Sequence, residues 1–183
     1  MTHPEEWTYH IPEGMTTMEG ALVEPAAVGM HAAVLGGAQP GKSIVILGGG
    51  TIGLMVLQAC ISLGATDITV VDVIEKRLEL AKKLGAARVI NGKEEDTVAV
   101  LRSEEMYGDH GVDLVFEAAG AVFTAQQAVQ IVSRGGKIMM VGTQSKPVPI
   151  DFLKINREVT IQTSFRYCNN FPQTIEAISS GRF

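Results

Sequence analysis

Three glycines and one carboxylate are spaced in a way that suits the binding of a dinucleotide. Gly48, Gly50 and Gly53 follow a short apolar run with the spacing G-x-G-x-x-G. In that motif the first glycine allows a tight turn, the second lets a pyrophosphate approach the backbone, and the third lets the following helix pack closely on the strand. Asp72 ends the next apolar run, nineteen residues after Gly53, where a carboxylate can accept both ribose hydroxyls. The combination predicts a dinucleotide-binding site.

Asp72 also predicts which dinucleotide binds. A 2′-phosphate would be repelled by the carboxylate and would need an arginine close behind it. The next two residues, Val73 and Ile74, are not basic. Arg77 belongs to the following helix, where it either packs against adenine or is a solvated surface residue. The sequence therefore predicts NAD(H) rather than NADP(H).

One acid, Glu24, lies in the middle of the small apolar residues of the stretch 18–34. Burying an unpaired carboxylate costs several kcal/mol or forces it to take up a proton. The T-x-x-E spacing at Thr16 suits a capping box, and Pro25 suits the first turn of a second helix that runs to about Leu35. Glu24 then either lies near a helix N-terminus, where the helix dipole favours an anion, or faces a polar cleft.

The elements that must position these residues form an alternating pattern from Ser43 onward. The predicted strands are 43–47, 68–72, 87–90, 112–118, 136–142 and 159–165, and the predicted helices are Ile52–Leu63, Glu75–Leu84, Thr97–Met106 and Ala121–Ser133. Strands that are apolar throughout indicate a sheet covered on both faces. Repeated strand–helix units with right-handed crossovers predict an α/β fold, a doubly wound parallel sheet of the Rossmann type. We expect this domain to span residues 25–183, after a linker and the end of another domain in residues 1–24.

A second glycine motif is a false match. Residues 36–43, GGAQPGKS, fit the phosphate-binding pattern G-x-x-x-x-G-K-S. That loop binds phosphate only where it follows a strand and opens a helix. Here a helix precedes it and a strand follows, so we interpret it as a turn into the first strand.

Composition excludes several classes of function. The net charge is −5 and no block of Lys or Arg occurs, which argues against partners such as nucleic acid or an anionic membrane. Two cysteines cannot build a disulfide framework or a four-cysteine zinc site, and the acidic start is not a signal peptide, so a cytoplasmic location is expected. Cys60 is expected in the core and Cys168 to be structural. His31 is expected to be a satisfied helix histidine, because it lies about 10 Å along the helix from Glu24.

The whole chain resembles the zinc-dependent medium-chain dehydrogenases, most closely the sorbitol (L-iditol) and xylitol dehydrogenase branch. The stretches that carry the resemblance are ALVEPAAVGMHAA, GGGTIG, VVD with Arg77, GAARVIN, GGKIMMVG and, most specific to the polyol branch, FRYCNNFP at 165–172. The resemblance implies that this chain is a fragment lacking the N-terminal catalytic domain, which supplies a cysteine, a histidine and a glutamate to one zinc.

The resemblance also implies roles for particular residues. Glu24 points into the cleft beside zinc, as a ligand directly or through the zinc-bound water. Arg166 and Tyr167 meet polyol hydroxyls or that water, and the backbone around Ser164 and Phe165 meets the carboxamide of nicotinamide. Together with the strand ends at 117–120 and 141–143, the expected cofactor-binding residues are Gly48, Gly50, Thr51, Ile52, Gly53, Asp72, Arg77, Ala119, Gly120, Val141, Gly142, Thr143, Ser164, Phe165 and Arg166.

The leading hypothesis is the cofactor-binding portion of an NAD-dependent, zinc-dependent polyol dehydrogenase that oxidises a secondary alcohol to a ketose, with the fragment alone inactive. Two alternatives stay open: a non-catalytic NAD-binding or redox-sensing module, and a zinc-free quinone or enoyl reductase, against which Asp72 counts. The segment 148–163 resembles an edge-forming stretch, so we expect a homo-oligomer, a dimer or a tetramer.

Overall fold

Six parallel strands form one sheet in the computed structural model, which describes residues 2–155 and 157–183. The strands are β1 (Ser43–Leu47), β2 (Asp67–Asp72), β3 (Arg88–Asn91), β4 (Val112–Glu117), β5 (Val132–Met140) and β6 (Thr160–Thr163). Their order across the sheet is β3-β2-β1-β4-β5-β6, so the chain winds outward from β1 to one edge and then from β4 to the other. This confirms the predicted doubly wound α/β sheet. Met1 and Asn156, which fall in the predicted linker and edge segment, lie outside the described residues.

Helices connect and flank these strands. They are α1 (Thr17–Gly36), α2 (Thr51–Ser62), α3 (Glu75–Lys83), α4 (Thr97–Leu101), α5 (Val122–Ile131) and α6 (Phe171–Ser179), with one turn of 3-10 helix at Glu5–Trp7. The prediction that α4 extends to Met106 is wrong. The hydroxyl of Ser103 donates to the carbonyl of Val100 at 2.8 Å, a local bond that competes with continued helix.

The prediction of a break before Pro25 is also wrong. The capping box at Thr16 is present, with the backbone N–H of Thr16 donating to Glu19 Oε2 at 2.7 Å, but the helix it begins runs through Pro25 to Gly36. Pro25 leaves one carbonyl of the preceding turn without its donor. The helix tolerates this loss because its later part packs tightly on α2, where a Cβ at Gly29 would collide with the backbone of Met55. Glu24 therefore lies in mid-helix and not at a helix N-terminus.

Two apolar layers, one on each face of the sheet, form the core. In β1, Ile44 and Ile46 belong to one layer, while Val45 and Leu47 belong to the other, and all four are fully buried. The central strand is therefore covered on both sides, which explains why its sequence is apolar throughout rather than alternating. Within the described ranges, no helix combines the length and the apolarity needed to cross a membrane.

The false phosphate motif is a turn, as predicted. Gly37 closes α1 in the left-handed conformation with φ 77°. The chain then turns through Pro40 and Gly41 before β1 begins at Ser43. The motif thus lies at the amino end of a strand, where no helix N-terminus is available to it.

Candidate functional site

Two glycines of the motif are required by the packing of the chain itself. Gly48 has φ 108°, a left-handed value that favours glycine, and a Cβ there would lie 2.8 Å from the backbone nitrogen of Ala119. Gly53 lies in the first turn of α2, where a Cβ would collide with the carbonyl oxygen of Gly48. These two positions let β1, α2 and the end of β4 approach one another closely.

Gly50 differs from both, because nothing in the described part of the chain explains the missing side chain. It is the N-cap of α2 with φ −71°, a conformation open to any residue, and no atom lies within 4 Å of the position a Cβ would take. The first backbone N–H groups of α2, those of Thr51 and Ile52, lack intrahelical partners and lie at the positive end of the helix dipole. The open surface at Gly50 therefore suits a phosphate.

Asp72 is held beside this turn and is only 7% exposed. Its Oδ2 accepts from the N–H of Gly49 at 2.7 Å, and its Oδ1 accepts from the N–H groups of Val73 and Ile74 at 2.8 and 2.9 Å. The fourth contact is the longest, from Arg77 Nη1 to Oδ2 at 3.4 Å. A carboxylate offers about four acceptor positions, so a ribose hydroxyl would most readily replace the Arg77 contact.

The glycine turn and Asp72 open into one cavity of about 450 Å³. A volume of this size is typical of ligand pockets, which range from about 300 to 1,000 Å³. Ala118, Ala119 and Ala121, which follow β4, also line it. Sequence reasoning missed eight of the lining residues, for which no motif gave a signal: Val71, Val73, Gly92, Thr97, Ala121, Phe123, Thr124 and Gln127.

A buried acid, Glu117, fixes the ends of β4 and β5. Its Oε1 accepts from the N–H groups of Ala119 and Gly120 at 3.0 and 2.9 Å and from the Thr124 hydroxyl at 2.7 Å. Its Oε2 accepts from Gln144 Nε2 at 2.7 Å. The buried carboxylate is therefore fully hydrogen-bonded, as burial demands, and its role is to shape this edge of the sheet.

The predicted nicotinamide residues at the ends of β4 and β5 are brought together. The carbonyl of Glu117 accepts from the N–H groups of both Val141 and Gly142 at 2.8 Å. A Cβ at Gly120 would lie 2.7 Å from the carbonyl oxygen of Thr143, so the two backbone segments touch.

The segment that follows β6 continues the same edge. The N–H of Ser164 donates to the carbonyl of Met140 at 2.9 Å, and the Ser164 hydroxyl is buried with no hydrogen-bond partner among the described residues. Phe165 is exposed, and the guanidinium of Arg166 lies 5.3 Å from the centroid of its ring. Tyr167 meets Phe171 edge to face at 4.9 Å. None of the residues from Ser164 to Tyr167 lines the 450 Å³ cavity. The predicted residues after β6 are therefore separate from those at the glycine turn and Asp72, which do line it.

Glu24 is exposed near the middle of α1. In the part of the chain that the structure describes, no group of three His, Cys, Asp or Glu side chains could hold a metal ion. These residues alone therefore do not fit a complete zinc site, and Glu24 can offer one ligand at most.

The remaining histidine and cysteine predictions have different outcomes. His31 Nδ1 lies 3.0 Å from Asn170 Oδ1, which confirms a satisfied helix histidine. Cys60 is buried, as predicted, and burial raises the pKa of its thiol. Cys168 is an exposed free thiol, so any structural role it has does not come from burial.

The doubly wound sheet, the glycine turn and the acid at the end of β2 define a Rossmann domain. Residues 51–180 match the family model described as zinc-binding dehydrogenase, and the chain belongs to that family. This confirms the resemblance seen in the sequence.

Individual relatives agree with this assignment. The chain is 63% identical to an uncharacterised zinc-type alcohol dehydrogenase-like protein of Escherichia coli, over 100% of this chain and 52% of that protein. It is 39% identical to the sorbitol dehydrogenase of Bacillus subtilis, over 97% of this chain and 50% of that protein. The chain spans about half the length of the curated relatives it matches.

Solved structures show the same fold. An Escherichia coli oxidoreductase/dehydrogenase of unknown specificity involved in membrane biogenesis superposes with a TM-score of 0.96 at 63% identity, covering 99% of this chain and 52% of that one. A Sinorhizobium meliloti zinc-binding dehydrogenase bound to NADP superposes with a TM-score of 0.93 at 27% identity, covering 98% of this chain and 54% of that one.

Proposed function

We propose that this chain is the cofactor-binding portion of an NAD-dependent, zinc-dependent polyol dehydrogenase that oxidises a secondary alcohol of a sugar alcohol to a ketose. The proposed use of NAD rests on one observation: the Asp72 carboxylate lines the cavity and accepts a hydrogen bond from the Gly49 N–H at 2.7 Å. The substrate half is supported by the sorbitol dehydrogenase and D-xylulose reductase relatives, at 39% and 33% identity.

In this proposal the chain binds and orients the dinucleotide along the carboxyl ends of the strands. The pyrophosphate lies on the open backbone at Gly50, Thr51 and Ile52, and Asp72 accepts the ribose hydroxyls after Arg77 moves aside. When bound, the nicotinamide supplies the hydride acceptor. The strand ends fixed by Glu117, together with the unpartnered Ser164 hydroxyl, suit the ring and its carboxamide.

The substrate side of the proposal concerns Glu24, Arg166 and Tyr167. Glu24 would approach a zinc ion held mainly by ligands outside the described residues, directly or through water. Arg166 is exposed and carries a cation to the edge of the sheet, where it could bind polyol hydroxyls. Tyr167 is held by its contact with Phe171, so its position is fixed before substrate binds. Because the described residues do not assemble a metal site, we expect the chain alone to bind cofactor without turnover.

Cofactor titration of the purified chain tests the proposal. Isothermal titration calorimetry should give tighter binding of NADH than of NADPH, because the Asp72 carboxylate would repel a 2′-phosphate. The competing candidate is NADP(H), which is favoured by the Sinorhizobium meliloti relative bound to NADP. A clear preference for NADPH would establish that candidate, and absence of binding to either would overturn the proposal.

A further inference from the structure

A second cavity, of about 580 Å³, lies at the amino ends of the strands. Asp109 precedes β4, Arg134 lies near the start of β5 and Arg157 precedes β6, and all three residues line this cavity. None of the described residues that line it also lines the 450 Å³ cavity at the carboxyl ends of the strands. The two cavities are therefore distinct sites.

The lining of the second cavity is strongly basic, although the whole chain carries a net charge of −5. Its four cations are Arg102, Arg134, Lys154 and Arg157. Only one acid, Asp109, lines the cavity with them, which leaves an excess of three positive charges. The salt bridges found among the described residues involve none of the four cations. The cations come from three separate segments, so the fold assembles a basic cluster that the sequence does not show as a block.

Arg102 is fixed in this cluster by backbone carbonyls. Its Nε donates to the carbonyl of Gln130 at 2.9 Å, and its Nη2 donates to the carbonyl of Val132 at 3.1 Å. Partial burial lowers the pKa of Arg102, and the positive charge of Arg157 lowers it further, while Asp109 opposes the shift. Like charges that folding brings together repel one another, and a bound anion would relieve that repulsion.

An irregularity in β5 places Arg134 at the cavity. Where β4 advances by two residues, from 112 to 114, its partner β5 advances by five, from 132 to 137. Within this bulge Gly135 takes the left-handed φ of 67°, and its N–H donates to the carbonyl of Arg157 at 2.8 Å. Bulges of this kind re-aim side chains and are frequent beside functional sites. The bulge therefore joins the segments that carry two of the four cations.

We propose that this cavity binds the diphosphate group of a ligand other than the coenzyme. Two phosphate groups carry about three or four negative charges at neutral pH, which matches the excess of positive charge. The exposed guanidinium groups of Arg134 and Arg157 can each pair two N–H donors with phosphate oxygens, and Lys154 adds a compact charge. The volume of about 580 Å³ is typical of a small-molecule pocket and leaves room for an organic part.

Calorimetry with inorganic pyrophosphate, in buffer free of divalent cations, tests this proposal. The wild-type chain should bind the ion. The double variant Arg134→Gln/Arg157→Gln should bind it at least about tenfold more weakly, because charge-assisted contacts are lost. Both side chains are exposed, so we expect the variant to fold. A parallel titration with uridine diphosphate distinguishes the sources of the group: tighter binding than pyrophosphate indicates an organic diphosphate, and weaker binding indicates the free ion.

The matched control is the double variant Lys82→Gln/Lys83→Gln. It removes the same charge from the exposed last turn of α3, and neither lysine lines either cavity. This variant should keep the wild-type affinity for pyrophosphate. Any binding of pyrophosphate at the glycine turn is common to all three chains, because none of the substitutions changes the lining of the 450 Å³ cavity.

Three results would overturn the site: no binding of either ligand to the wild-type chain, unchanged affinity in Arg134→Gln/Arg157→Gln, or an equal loss in both double variants. The last result would show attraction by net charge alone. NADH affinity should be the same in the wild type and in Arg134→Gln/Arg157→Gln, because the coenzyme would bind in the other cavity. This test and that of the proposed function can therefore fail independently.

Discussion

At the scale of single residues, the proposed cofactor specificity depends most on Asp72. Its four hydrogen-bond donors come from the glycine turn, from the loop after β2 and from α3. The sequence predicted its position, because in this fold the second strand ends about twenty residues after the glycine motif. It did not predict the bond to Gly49, since that contact depends on how closely the two loops approach.

Asp72→Asn is expected to weaken NADH binding about tenfold and to narrow the difference between NADH and NADPH. The amide keeps the shape but removes the charge that strengthens hydrogen bonds from hydroxyls and repels a 2′-phosphate. Calorimetry with both cofactors measures the change. Glu79→Gln, at an exposed acid of α3, is the control and should leave both affinities as they are. An unchanged ratio in Asp72→Asn would contradict the assigned role.

The two cysteines should differ sharply in reactivity. Burial raises the pKa of the Cys60 thiol, and the thiolate is the reactive form, whereas Cys168 is exposed. A maleimide added to the native chain at neutral pH should label Cys168 alone, as read by peptide mass spectrometry. Cys168→Ser should then abolish labelling until denaturant is added. Labelling of Cys60 in the native state would show that the core opens readily.

At the scale of elements, the sequence predicted most strands and helices but failed where local signals compete with packing. Pro25 predicts a helix start, yet contact with α2 holds α1 continuous through it. The buried network of Glu117 also depends on a contact between separate segments, because Gln144, which follows β5, donates to its carboxylate. Glycine spacing was more informative, because Gly48 and Gly53 are required by the close approach of strand and helix themselves.

Two alanine substitutions in the motif should separate stability from binding. Gly53→Ala is expected to destabilise the domain by about 1 to 3 kcal/mol, because the methyl group collides with the carbonyl of Gly48. Gly50→Ala meets no atom within 4 Å and should leave the free energy of unfolding nearly unchanged. It should nevertheless reduce NADH affinity about tenfold or more, because the methyl group occupies the surface on which the pyrophosphate would lie.

Urea unfolding and calorimetry on both variants measure these effects. Normal NADH affinity in a folded Gly50→Ala chain would contradict the placement of the pyrophosphate. A fully stable Gly53→Ala chain would contradict the close contact between α2 and the glycine turn.

The hydrogen bonds that join Ser43 of β1 to Asp113 of β4 should make the free energy of unfolding depend on pH in the acid range. Partial burial raises the pKa of Asp113, but hydrogen bonds from the N–H and hydroxyl of Ser43, with Lys42 and His110 nearby, outweigh it and lower the pKa below its usual value of 3.8. A carboxyl whose pKa is lower in the folded state contributes stability above its unfolded pKa and loses it as the pH falls through the folded value. We therefore expect stability to decline below about pH 4.

Asp113→Asn tests this contribution, with the free energy of urea unfolding measured between pH 2.5 and 6. The variant should be less stable than the wild type near pH 6 and should approach it at the acid end. Asp109→Asn, at an exposed acid in the neighbouring turn, is the control and should follow the wild-type curve. Parallel curves for Asp113→Asn and wild type would show that the carboxylate adds no pH-dependent stability.

At the scale of the whole molecule, β6 leaves one edge of the sheet unpaired within the described residues. Ile161 in this strand is 38% exposed, and Phe152 and Leu153, in the segment that precedes the strand, are also exposed. Edge strands with apolar side chains are usually covered by another chain or element. We therefore propose that a second copy of the chain pairs at β6, and light scattering at tens of micromolar should give at least a dimer.

Ile161→Lys should shift that assembly towards monomer, because it places a charge in the edge that would be paired. Val34→Lys, at an exposed position of α1, is the matched control and should leave the mass unchanged. A wild-type monomer at these concentrations would contradict pairing through β6.

The uninterrupted helix α1 has a mechanical consequence. Its backbone touches that of α2 at Gly29 and Met55, and α2 begins at the glycine turn. Glu24 therefore lies on a helix that packs directly against α2, whose N-terminus would receive the pyrophosphate. We therefore expect that a shift of α2 on coenzyme binding would also displace Glu24.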